Sequence, residues 1–210
     1  MTDALSTYVH RYLPPEGDDA RTLLLLHGTG GDENDLIQLG QMLLPDAGLL
    51  SPRGTVLEHG ASRFFRRLAE GVFDLDDLRA RTAELITFID AASVKYGFDA
   101  SQVVAVGFSN GANIASSILL TSPATFSSAV LFRPMVPFVP DEPVPLTGKR
   151  IFIGAGEDDP IVPRDQPYRL AELFQLCGAT VTTEWQPGGH TLTRADVSKA
   201  YEWLHVGNSE

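Results

Sequence analysis

The sequence holds a single cysteine, Cys177, in 210 residues. A disulfide framework within the chain is therefore excluded. Basic residues are scarce: 16 Lys and Arg stand against 27 Asp and Glu, for a net charge of −11. A field of that sign repels phosphate backbones and anionic headgroups, so neither nucleic acid nor a membrane surface is an expected partner. No apolar run approaches the ~18 residues that span a bilayer. The opening stretch, MTDALSTYVHRYLPP, has no basic start and no apolar core, so no signal peptide is expected. No His, Cys, Asp or Glu spacing resembles a zinc or calcium site, and no metal or cofactor is expected. Internal repeats and low-complexity tracts are missing too. The expectation is one cytoplasmic domain over residues 1–210, with oligomeric state left open, a homodimer included.

Against these absences stands a hydrophobic content of 43%, enough for a full core at this length. Short apolar runs alternate with amphipathic segments. TLLLLHG (22–28) has a buried-strand pattern. Residues 32–45 predict a helix, with Asp32 as cap and Pro45 as stop. Residues 47–54 read as a short strand into a turn, and 59–73 as a loop without a clean period. The spacing of Leu75, Leu78, Leu85, Ile86 and Ile89 predicts a helix over 74–97, with three aspartates at its positive end. Strands are expected at 103–108, 127–133, 150–156 and 180–186, and helices after residue 109, over 165–177 and over 191–205. A proline-rich loop fills 134–145, and STYVHRYL near the start predicts an edge strand. Strand and helix in alternation predict a mostly parallel, twisted sheet with helices on both faces. Sites in such sheets lie beyond the carboxyl ends of the strands.

One strand end stands out. Gly107-Phe108-Ser109-Asn110-Gly111 fits the G-x-S-x-G pattern between an apolar strand and a helix. A strand that turns at once into a helix forces its central serine into a strained backbone and lifts the hydroxyl above the sheet edge; small flanking residues leave room for that turn. Small residues could also simply let helix and strand pack, but the strand before and helix after are what a nucleophile elbow requires. Serine needs a base. His190, in PGGHTL after the last strand, follows the serine in the order such hydrolases use. His27 and His59 precede it, His10 belongs to the first strand, and His205 reads as a surface residue of the last helix. The acid belongs between serine and histidine. GAGEDDPIVP (154–163) supplies adjacent Asp158 and Asp159, and the residues alone leave both open. The oxyanion of a tetrahedral intermediate would find the backbone N–H of Asn110 and one from the Gly-rich loop HGTGGDEND (27–35), with Thr29 as donor. That loop has neither a Walker lysine nor a G-x-G-x-x-G, and its three acidic residues oppose a phosphate.

With these segments assembled, the chain resembles the α/β-hydrolase superfamily and, within it, the phospholipase/carboxylesterase family, which includes acyl-protein thioesterases and small bacterial carboxylesterases. HGTGGDENDL, SPRG, GFSNGA, GEDDPIVP and GGH occur in the family's order over nearly the whole chain. The resemblance implies Asp159 as the acid. It departs from the eukaryotic thioesterases at Asn110, where they usually carry glutamine, and it lacks a large cap insertion. The expected function is cleavage of small carboxylic esters by Ser109, His190 and Asp159 through an acyl-enzyme. A thioesterase or lysophospholipase with the same triad is the alternative, and a non-catalytic binding protein the more remote one. Phe64, Phe65, Phe73 and Met135 are expected pocket walls, with Val136 beside Met135. Arg63, Arg66 and Arg67 read as solvated, and Cys177 as an inert packing residue.

Overall fold

The structure, a computed structural model, describes residues 4–206. Eleven strands and five helices run in the order β1 (His10–Leu13), β2 (Thr22–Leu26), α1 (Ile37–Leu43), β3 (Gly48–Pro52), β4 (Val56–Glu58), β5 (Ala61–Arg63), β6 (Arg67–Ala69), β7 (Val72–Phe73), α2 (Leu75–Tyr96), β8 (Val103–Phe108), α3 (Asn110–Leu119), β9 (Ser128–Phe132), β10 (Arg150–Gly156), α4 (Asp165–Leu176), β11 (Thr180–Gln186) and α5 (Arg194–His205). Seven strands make the main sheet, in the order β1-β3-β2-β8-β9-β10-β11. β1 pairs antiparallel with β3 at one edge; every other neighbour is parallel.

Alternation along β2 shows how the sheet is covered. Leu24 and Leu26 enter one core cluster with residues of α2, α3 and α4, while Leu23 and Leu25 enter another with residues of α1 and α5. Successive strand side chains point to opposite faces, so an unbroken leucine run is what a sheet buried on both sides requires. All ten residues of α3 are buried, and this helix packs directly behind β8. α2 begins where the Asp74 side chain accepts from the Asp77 N–H and ends at Gly97, whose φ of 75° is the left-handed stop glycine supplies cheaply.

Two expectations need correction. The 59–73 segment is not a plain loop: β4 with β5, and β6 with β7, form two short antiparallel hairpins. Strands of two or three residues are too short to show a period of two. The first helix starts at Ile37 rather than near residue 32, with no side-chain cap. Asp32 instead accepts from the Asn34 N–H at 2.7 Å, closing a local turn that competes with helix. Cys177 is buried and free. Among the described residues no helix is long and apolar enough to cross a membrane.

Candidate active site

The elbow stands where β8 turns into α3. Ser109 has φ 53° and ψ −113°, a conformation that costs a non-glycine residue energy and that the surroundings must impose. They do so from three sides. The Ser109 N–H donates to Phe132 O at 2.9 Å, tying the turn to the end of β9, and Ser109 O accepts from the Asn113 N–H at 3.0 Å. A Cβ on Gly107 would lie 2.6 Å from Ala112 Cα, and one on Gly111 would run into the carbonyl of Leu26. Only glycine fits at either position, so α3 can start this close to β2 and β8.

Ser109 Oγ lies 2.8 Å from His190 Nε2, and His190 Nδ1 lies 2.8 Å from Asp159 Oδ2. The carboxylate can only accept, so Nδ1 carries the imidazole hydrogen and Nε2 is free to accept from the serine hydroxyl. Asp159 itself is fixed: its Oδ1 accepts from the Ile161 and Val162 N–H groups at 2.8 and 3.0 Å. Its side chain is 2% exposed, against 18% for His190. Asp158, left open by the residues alone, is exposed and makes no hydrogen bond to His190 among the described residues; its N–H donates to Gly188 O at 3.0 Å.

The other four histidines sit elsewhere. His10 Nε2 lies 2.7 Å from the Tyr96 hydroxyl, and His205 is stacked on Tyr201 of its own helix. His59 occupies the β4–β5 turn at φ 51°. His27 is buried behind the 28–31 loop, where its Nε2 accepts from the Gly54 N–H at 2.9 Å and its Nδ1 donates to Gly28 O at 2.6 Å. Burial holds its imidazole below the ordinary histidine range, although the bond to Gly28 pulls the other way.

Thr29 and Asn110 border the same cavity as Ser109 and His190. Among the described residues, neither backbone N–H has a protein acceptor. Asn110 Oδ1 accepts from the Phe64 N–H at 2.7 Å, while its buried Nδ2 has no hydrogen-bond partner among the described residues. The cavity measures about 340 Å³, and Phe73, Met135, Ile161 and Val162 give it apolar walls. Phe64 and Phe65, expected beside them, are instead fully buried. Phe64 packs on His27 and Phe65 meets Phe73 edge-on at 5.1 Å between ring centres, so this pair backs the wall rather than forming it. Val136 packs against the core.

Two arginines depart from expectation. Arg63, expected to be solvated, is 3% exposed and lines the cavity together with half-buried Arg67. Glu58 pairs with both, at 3.2 Å from Arg63 Nε and 2.9 Å from Arg67 Nε; Arg66 remains exposed. Burial, then the neighbouring Arg67, push the Arg63 guanidinium below its ordinary value. The second is Arg133, which sequence reasoning missed. It follows β9 at φ 54°, with a fully buried side chain. Its guanidinium forms a two-pronged pair with Asp196 at 2.8 and 2.9 Å and donates to Gly189 O at 3.0 Å and Thr191 O at 3.1 Å. These two carbonyls flank His190. Asp196 meanwhile closes a capping box with Thr193 at the start of α5. A lone arginine before a proline-rich loop carries no sequence signal for this role.

The family model described as Phospholipase/Carboxylesterase matches residues 11–208. The chain is 46% identical over 193 residues to MhqD of Bacillus subtilis (strain 168), a protein named as a hydrolase, covering 92% of this chain and 96% of that one. The crystal structure of a Bacillus cereus carboxylesterase superposes with a TM-score of 0.93 at 45% identity, over 95% of this chain and 94% of that one. A carboxylesterase from Mesorhizobium loti gives a TM-score of 0.89 at 30% identity over 94% of each chain.

Proposed function

The chain belongs to the phospholipase/carboxylesterase family and has the α/β-hydrolase fold, and from that premise we propose that it is a serine carboxylesterase of small or short-acyl esters. Ser109 Oγ attacks the ester carbonyl as His190 Nε2 takes its proton. Asp159 keeps the Nδ1–H tautomer and stabilises the imidazolium that forms. The N–H groups of Thr29 and Asn110 receive the oxyanion. When the tetrahedral intermediate collapses, His190 returns the proton to the leaving alkoxide and Ser109 is left acylated. Water, deprotonated by the same imidazole, attacks the acyl carbon. The second collapse releases the acid and regenerates the serine.

The observation that carries this reading is the unbroken chain of two 2.8 Å contacts from Ser109 through His190 to Asp159. Preference for small substrates is supported by the cavity of about 340 Å³. A thioester would use the same groups, so matched oxygen and sulfur esters of rising acyl length are the panel to run. Short 4-nitrophenyl esters are expected to turn over, and Ser109→Ala to lose on the order of 10⁶ in kcat while keeping its fold. Substantial activity in a homogeneous Ser109→Ala preparation would overturn the proposal.

A further inference from the structure

Three consecutive residues tie down the two segments, the loop after β2 and the head of α3, that carry the proposed oxyanion donors. Ser62 O accepts from the Gly30 N–H at 2.8 Å, Arg63 Nη1 donates to Thr29 Oγ1 at 2.6 Å, and the Phe64 N–H donates to Asn110 Oδ1 at 2.7 Å. β5 and the residue after it thus form a strap across the elbow and the loop that follows β2. The first and last of these contacts use backbone atoms of the strap. The middle one uses a guanidinium, with a consequence for the hydroxyl it meets.

A guanidinium has donors only, so Thr29 Oγ1 must be the acceptor in that contact. A threonine hydroxyl that accepts still has its own hydrogen to give. Among the described residues no protein acceptor takes the Thr29 hydroxyl hydrogen, and Thr29 is exposed on the wall of the cavity that holds Ser109. A bond from a cation also polarises the O–H group, making it a stronger donor. Arg63 is held for this task by Phe65 O at 3.1 Å and by Glu58, and its burial keeps the charge out of water. The hydroxyl and the backbone N–H of one threonine are near enough to address one oxygen atom.

We propose that the Thr29 hydroxyl is a third donor to the oxyanion, and that Arg63 is the positioning residue that aims and polarises it. The inference rests on the serine-esterase reading above. A donor used only as charge develops lowers kcat when lost and leaves ground-state binding alone. Thr29→Val keeps the backbone N–H and the shape of the side chain but removes the O–H.

The test measures kcat and KM for a short 4-nitrophenyl ester, and inhibition by a trifluoromethyl ketone whose adduct on the serine carries the oxyanion. Thr29→Val is expected to lower kcat roughly 10- to 100-fold, with KM within about twofold and the inhibitor weakened by a similar factor. Thr29→Ser, which retains the hydroxyl, is expected within about threefold of the parent, and Arg63→Met to lose much less in the Thr29→Val background than alone. Unchanged kcat in Thr29→Val would overturn the inference, as would a loss that Thr29→Ser shares or one that leaves inhibitor affinity intact. If Ser109→Ala is inactive while Thr29→Val is normal, the esterase reading stands and only the third donor falls.

Discussion

The site has two halves, and they are held in different ways. On one side, the carbonyls that flank His190 are held by a single buried cation: Arg133 reaches both of them and pairs with Asp196. On the other, the 28–31 loop and Asn110 are held by several contacts, among them His27 to Gly28, Ser62 to Gly30, Arg63 to Thr29 and Phe64 to Asn110. In the proposed mechanism the base has to approach serine and aspartate at hydrogen-bonding distance and also become charged, and its loop is fixed from within the protein. The proposed oxyanion donors sit on the 28–31 loop and at the head of α3, and a distributed strap is enough to hold them. The base half should therefore fail all at once when one residue is changed, and the oxyanion half by degrees.

The sharpest loss is expected from Asp159→Asn. The amide cannot stabilise the imidazolium and can impose the wrong tautomer, so kcat should drop about 10⁴-fold, whereas exposed Asp158→Asn should stay near the parent. Steady-state kinetics on the pair decides; the reverse ranking would move the acid by one residue.

Arg133→Met comes next. It strands Asp196 as a buried charge, a change that costs about 3–5 kcal/mol. The double variant Arg133→Met with Asp196→Asn removes that stranded charge and should recover much of the melting temperature. It should not recover kcat, because nothing then holds the carbonyls of Gly189 and Thr191. If activity returned along with stability, Arg133 would be a folding element only, and the contrast between the two halves would weaken.

How far these halves could be read from the sequence follows from range. Elements whose signal is local were legible: β10 and β11 fall at the expected residues 150–156 and 180–186, and α2 within one residue of its expected ends. The elbow was legible because its glycines meet backbone in both directions. Asp158 and Asp159 were not separable from the residues, since which one turns inward is decided by the Ile161 and Val162 N–H groups that hold Asp159. Arg63 and Arg67 sit four apart in one stretch, yet only the fold buries the first. Phe64 and Phe73 look alike in the sequence; hairpin geometry sends one under the wall and the other onto it. Arg133 acts through partners 56 to 63 residues away, and no local pattern encodes that reach.

The smallest effect concerns pH and the oxyanion half. His27 is neutral and buried, and its folded-state ionisation lies below the ordinary value of 6.5. A base depressed in this way contributes stability above that value and loses it as pH falls toward the folded-state ionisation, because the unfolded chain takes up the proton first. The melting temperature should decline on acidification below about 6.5. His27→Gln, which does not titrate and can still accept from Gly54, should flatten that part of the slope. An unchanged slope would assign the acid sensitivity to other groups.

The central claim is that Ser109 is made nucleophilic by His190. It is tested most directly by treating the folded protein with a fluorophosphonate at neutral pH and mapping the adduct by mass spectrometry, beside His190→Gln. A single adduct on Ser109, formed orders of magnitude more slowly in His190→Gln, is the result expected. Equal labelling in the two proteins, or an adduct at another residue, would contradict the claim.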